Sequence, residues 1–194
     1  MNLLDYQPEA LRNLTDEQLR ELAAQTVHIT QEDRRQSQLL YYKPASPRAQ
    51  LVHDSKSKVT AAGGGNGSSK TETVLVEMIM CATGVFPHSQ RHLIEQKFRG
   101  PISCRIVVES LTTTLEPIIL PKLMWWRWTG VDRQGGERGH WGWIPKNCLI
   151  DGEWDRSWSA NLRMLRILCR DPYNPDKVLG ESTIQCMSVD QDPS

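Results

Sequence analysis

No stretch of the chain is apolar for long enough to cross a bilayer, and the acidic, polar N-terminus lacks the order of a secretory leader. These absences point to an intracellular protein without a membrane partner. No C-x-x-C pair occurs. The cysteines, Cys81, Cys104, Cys148, Cys169 and Cys186, are scattered, which argues against a zinc site and a disulfide framework and leaves buried thiols as the simplest reading. Net charge is lacking too, with 23 basic residues against 23 acidic ones. A balance of zero argues against a protein that holds nucleic acid by bulk charge alone.

The charge that is present sits unevenly. Residues 1–36 carry seven acids against four bases, whereas residues 122–170 carry nine bases against five acids. A mildly basic second half suits a solvated surface or a DNA-facing one, and charge alone favours the solvated surface. At 194 residues, 39% hydrophobic and 24% charged, the chain has the composition of a globular protein with room for one domain plus an extension.

The most informative stretch is GGGNGSSKT, residues 63–71. It lies between a β-like run, 58–62, and a strongly apolar run, 73–82, which is the strand, loop and helix order of a phosphate-binding loop. Aligned on Lys70, the pattern G-x-x-x-x-G-K-[ST] places Gly64 first, Gly65, Asn66, Gly67 and Ser68 in the variable positions, and then Ser69, Lys70 and Thr71. Ser69 stands where the pattern has its second glycine.

Small residues in succession let the backbone turn around an anion and aim several N–H groups at it, and the following helix adds its positive end. Lys70 would reach the β and γ phosphates of ATP, and the Thr71 hydroxyl would be a ligand of Mg²⁺. A flexible glycine and serine linker is the alternative, but the flanking order and the adjacent Lys and Thr favour the loop. Should the position of Ser69 require a positive φ, its side chain carries strain that glycine avoids.

Residues 1–45 are expected to form an N-terminal helical extension. Thr15 and Gln18 make a capping-box pattern, with Leu14, Leu19, Leu22 and Ala23 at helical spacing, so one helix is expected over 15–26. A second, polar helix is expected over 31–42. The KPASP segment, 43–47, then breaks the helix and opens a nucleotide domain, 46–194. Gln50, with Tyr41 and Tyr42, is a candidate for the adenine edge, since several P-loop ATPases place a glutamine upstream of the loop; a plain surface glutamine is equally compatible with the spacing.

The helix after the loop is apolar on every side, which implies burial, and Gly84 is its natural stop. Residues 102–108 read as a buried strand, followed by a helix for which Thr113 and Glu116 are a possible capping pair. Alternating strands and helices predict an α/β class with a parallel sheet. All seven tryptophans fall within 125–158, interleaved with Arg127, Arg133, Arg138, His140 and Arg156. Such a mixture stacks bases or covers exposed core, and the structural insertion is favoured here. Residues 162–169 and 182–189 are expected to pair as an antiparallel hairpin across a segment dense in turn formers.

Taken together, YYKPASPRAQ, AAGGGNGSSKTETVLVE, the ATG followed by Pro87, and STIQCMSVDQ resemble the N-terminal ATPase region of phage terminase large subunits, the motors that package viral DNA. The resemblance spans about residues 41–194. Members of that family often carry GGNRSGKT, for which GGNGSSKT stands here, and a later strand ending in Tyr-Asp-Gln, for which Val189, Asp190 and Gln191 stand here.

The resemblance implies an incomplete P-loop NTPase (RecA-like/ASCE) parallel-sheet core with N-terminal helices and an antiparallel hairpin insertion. It makes residues 64–71 the Walker A loop, with Lys70 catalytic and Thr71 on the metal. Gly67 stands where many members have an arginine acting on the γ phosphate, so any arginine finger comes from elsewhere. The partners implied are double-stranded DNA, the portal protein, the small terminase subunit and further copies in a ring, in the host cytoplasm.

No apolar run ending in Asp-Glu occurs in the chain, and hydrolysis needs such an element to hold Mg²⁺ and position water. About four strands follow residue 47, whereas doubly wound nucleotide sheets usually have five or more. The resemblance implies that the catalytic acids, and later the nuclease domain, lie beyond Ser194, and both points agree with it. A non-hydrolysing nucleotide-binding module, or a helicase-like ATPase, is the alternative.

Overall fold

The computed structural model describes residues 14–63, 69–127 and 139–189. Helix α1 (Asp16–Gln36) opens on the expected capping box: the Thr15 hydroxyl accepts from the Gln18 amide, and the Gln18 side chain accepts from the Thr15 amide. Two helices were expected over 15–42, but one runs through, because neither glycine nor proline interrupts residues 16–36. Ser37 ends it, and a 3₁₀ turn (Gln38–Tyr41) follows. Pro47 starts a helix rather than only stopping one. Ser46 caps α2 (Pro47–Asp54), and proline occupies the first turn, where its missing N–H costs nothing.

Residues 58–62 form no strand, contrary to expectation. Lys58 and Val59 lie in a bend, and Val59 is 85% exposed. One branched apolar residue among polar neighbours cannot hold a strand without a sheet beside it.

Helix α3 (Lys70–Thr83) follows the loop and buries Leu75, Val76, Ile79, Met80 and Ala82, leaving Val74 half exposed. Gly84 stops it as expected, in the left-handed conformation with φ +72°. The position admits no side chain, since a β-carbon there would overlap the Arg170 carbonyl oxygen. A 3₁₀ turn (His88–Leu93) and α4 (Ile94–Lys97) close a small cluster of Met80, Phe86, Leu93 and Ile94.

Strand β1 (Ser103–Val108) matches the expected strand. The helix after it is capped by Ser110 rather than Thr113 and starts as a π-helical segment (Leu111–Ile119). Pro117 inside it cannot donate, so the segment lacks one backbone hydrogen bond at that residue. Helix α5 (Leu120–Leu123) leads to β2 (Trp125–Arg127), which pairs antiparallel with β3 (Gly139–Trp141). The part of the tryptophan-rich insertion at 128–138 lies outside the described residues. Helix α6 (Trp154–Ser157) and β4 (Trp158–Ser159) follow, and then β5 (Met164–Asp171) and β6 (Asn174–Ser188) form the expected hairpin, in which Leu165 faces Ile184.

The four-stranded sheet has the order β1, β6, β5, β4 and is mixed. Only β1 and β6 run parallel; β6 with β5 and β5 with β4 are antiparallel. The expectation of a parallel sheet is therefore corrected, because two of the three pairings come from short returns that favour the antiparallel arrangement. Within the described residues the chain is α/β in the broad sense, with its core between one sheet face and α3. Leu75, Val76, Ile79, Leu115 and Ile144 pack there against Val108, Leu165, Ile167, Ile184 and Cys186. Leu39 and Tyr42 join this core, so the chain enters it ahead of residue 46.

Candidate functional site

The site is organised by the start of α3. Residues Gly64, Gly65, Asn66, Gly67 and Ser68 lie outside the described residues, and the loop rejoins them at Ser69. Ser69 has φ +56° and ψ 18°, in the left-handed region that favours glycine. It sits at the N-cap of a 14-residue helix without a side-chain capping bond, while its carbonyl accepts from both the amide and the hydroxyl of Thr73. A sharp backbone reversal thus precedes Lys70 and Thr71 at the point where helix donors lack intrahelical partners.

The helical spacing of i and i+3 divides the residues at this end between two cavities. One, of about 410 Å³, is lined by Ser69 and Glu72 together with Gln38, Tyr41, Tyr42 and Trp143. The other, of about 450 Å³, is lined by Lys70 and Thr73 together with Ala49, Val52 and the segment 60–63. Lys70 and Ser69 therefore line different cavities at the helix start.

The first cavity is aromatic, and its walls are braced. Tyr42 meets Trp143 edge to face at 5.5 Å and His53 at 5.4 Å. The guanidinium of Arg34, which also lines the cavity, lies 5.7 Å from the Tyr41 ring centre. Two buried polar atoms of the wall residues, Gln38 Oε1 and Trp143 Nε1, have no hydrogen-bond partner. Buried polar atoms are ordinarily paired, so these two stand out, although protein atoms cover both.

A buried polar chain fixes Tyr42. Its hydroxyl lies 2.9 Å from His53 Nε2, His53 Nδ1 lies 2.7 Å from Glu77, and Glu77 accepts from Lys97 at 2.7 Å. A carboxylate only accepts, so Nδ1 carries the proton and, in the neutral ring, Nε2 accepts from the Tyr42 hydroxyl. Burial raises the Tyr42 pKa above the usual phenol value, partly offset by a hydrogen bond with Thr73, and Glu72 and Glu77 add to the rise. Tyr42 thus remains a neutral donor at physiological pH.

Gln50 is placed otherwise. Its amide donates to Asp54 at 2.8 Å and to Gln90 at 3.0 Å and accepts from Gln90 at 2.9 Å. Its donor and acceptor ends are both engaged away from either cavity. The glutamine at the aromatic cavity is Gln38, three residues before Tyr41. Sequence reasoning passed over Gln38; its nearness to two tyrosines was the available signal.

Phosphate suits the residues present: a left-handed turn, an uncapped helix start, and a lysine and a threonine in its first turn. Magnesium is less well served. Thr71 is exposed and offers one oxygen, while the neighbouring Glu72 is paired with Lys122 at 3.0 Å. Among the described residues no group of three or more His, Cys, Asp or Glu side chains is placed to hold a metal ion. Compared with family models, with curated proteins and with solved structures, the chain matches none.

Proposed function

We propose that this chain is the ATP-binding part of a viral DNA-packaging motor, the terminase large subunit its motifs resemble, in which nucleotide turnover drives DNA translocation into a capsid. The observation that carries the reading is Ser69. The pattern has a glycine at this position, and the backbone there adopts the conformation glycine favours, directly ahead of Lys70, Thr71 and a buried helix.

In this reading residues 64–71 (Gly64, Gly65, Asn66, Gly67, Ser68, Ser69, Lys70 and Thr71) bind the phosphates, and Lys70 supplies the positive charge. The base lies in the cavity walled by Tyr41, Tyr42 and Trp143, beside Gln38. Gln50 supports this wall through Gln90 instead of touching the base. Bound Mg²⁺ would supply charge neutralisation between the β and γ phosphates, with the Thr71 hydroxyl as its ligand from the loop. Double-stranded DNA, a portal protein, a small terminase subunit and a ring of copies are the partners of the whole motor in the host cytoplasm.

The sequence, which holds no apolar run ending in Asp-Glu, favours a second statement about this chain taken alone: it binds nucleotide and turns it over negligibly. Calorimetric titration with ATP and Mg²⁺ tests the first statement, and phosphate release tests the second. Binding abolished by Lys70→Ala in a folded variant is the expected result. Absence of binding by the wild-type chain would overturn the motor reading, and robust turnover lost in Lys70→Ala would overturn the placement of the catalytic acids outside it.

A further inference from the structure

The cavity of about 450 Å³ that Lys70 lines holds a second cation, Arg48. Arg48 occupies the first turn of α2, directly after Pro47, and its side chain is exposed. The helix beneath it is fixed. Ala49 and His53 are buried, His53 is bonded to Glu77 at 2.7 Å, and Gln50 is locked to Gln90. Among the described residues Arg48 has no hydrogen-bond or ion-pair partner. An exposed arginine is ordinarily left to solvent, so its neighbours decide its role.

No Asp or Glu lines this cavity among the described residues, whereas the cavity lined by Ser69 contains Glu72. Its hydroxyls are already engaged. Ser46 caps α2, the Thr60 hydroxyl lies 2.9 Å from that of Ser55, and Thr73 donates to the Ser69 carbonyl at 2.9 Å. What the cavity adds is positive charge, from Arg48 and Lys70 on two helix starts, with no carboxylate to offset it. Two like charges around one space repel, and an anion between them relieves the repulsion. A guanidinium adds a planar fork that grips two oxygens of one phosphate.

We propose that Arg48 is the specificity-determining residue that tells a nucleoside triphosphate from a diphosphate, by holding the terminal phosphate in the cavity it shares with Lys70. This inference rests on the nucleotide reading above, which seats the base in the cavity lined by Ser69. Ser69 and Lys70 are adjacent, so a phosphate chain leaving that base passes the start of α3 and enters the second cavity by its far end. A diphosphate ends at Lys70. The third phosphate is the one that meets Arg48, a residue outside the loop pattern and on a separate helix.

Calorimetric titration of the full chain with ATP and with ADP, each with Mg²⁺, tests it on the wild type, Arg48→Ala and Arg48→Lys. Circular dichroism shows that each variant is folded. Arg48→Ala is expected to weaken ATP binding about tenfold or more and to leave ADP binding within about twofold of wild type. Arg48→Lys keeps the charge and loses the fork, so its ATP affinity is expected to fall between those of Arg48→Ala and wild type. A folded Arg48→Ala chain that binds ATP as the wild type does would overturn the assignment. So would equal losses for ATP and ADP, which mark a charge acting on the site as a whole. A wild-type chain that binds neither nucleotide would instead overturn the nucleotide reading itself, and this inference with it.

Discussion

Gln50 and Gln90 face each other amide to amide, each Nε2 donating to the other's Oε1, at 3.0 and 2.9 Å. Gln90 is fully buried, so the pair ties α2 to the turn before α4 in a place where water cannot substitute. Gln50→Ala removes two of the Gln90 amide's hydrogen bonds, leaving the long one to Ser89, and is expected to cost about 1–3 kcal/mol of stability. Urea unfolding measures it. ATP affinity measured on the folded fraction is expected to stay close to wild type, whereas Gln38→Ala is expected to lower it with little loss of stability.

Ser69 holds a left-handed backbone that a β-carbon disfavours by roughly 1–2 kcal/mol, while glycine there gives back part of the gain as unfolded-state entropy. The Ser69→Gly variant is therefore expected to be more stable than wild type by up to about 1 kcal/mol. Ser69→Val, branched at the same strained position, is expected to be less stable by about 1 kcal/mol or more. Shifts of the urea midpoint in opposite directions are the expected readout.

Gly84 combines a positive φ with a site where an added β-carbon would overlap the Arg170 carbonyl oxygen. Gly84→Ala introduces both strain and overlap against backbone that is held in the β5–β6 hairpin, and a loss of about 2 kcal/mol or more is expected. Thermal unfolding followed by circular dichroism reads the loss.

Burial pushes the Cys81 and Cys148 thiols up to about 12 and the Cys186 thiol up to about 11. For Cys81 the Glu77 charge adds to the rise, and for Cys148 the nearby Arg170 opposes it. In the unfolded chain these groups ionise near 9. A folded pKa above the unfolded one means stability intact below pH 9 and lost as pH climbs toward 11–12. Alkaline unfolding is expected to begin above pH 9, and Cys148→Ala is expected to flatten that slope. Alkylation at pH 8 is expected to be slow on the native chain at these three sites and rapid in urea.

The features legible in the sequence are those whose cause is local. Thr15 with Gln18 three residues on, a glycine after an apolar helical run, and two strand-like runs flanking turn residues each carry their partners nearby, and each formed as expected. Features set by distant residues were not legible. The fate of Gln50 was decided by Gln90, 40 residues away. Residues 58–62 have the composition of a strand, but a strand exists only where another lies beside it, and the composition cannot report that neighbour. At the candidate site, Ser69 was singled out for a conformation that the backbone adopts, while Gln38 needed the fold to bring it to Trp143.

The Ser182 hydroxyl donates to the Ala82 carbonyl at 2.7 Å and accepts from the Ile102 amide at 3.0 Å, which fastens the last turn of α3 to the head of β1 through one oxygen. In the proposed motor, a thrust delivered at Lys70 and carried along the helix axis would arrive at this rivet. Helix and sheet would then travel as a single piston, and any stroke would have to be absorbed outside them.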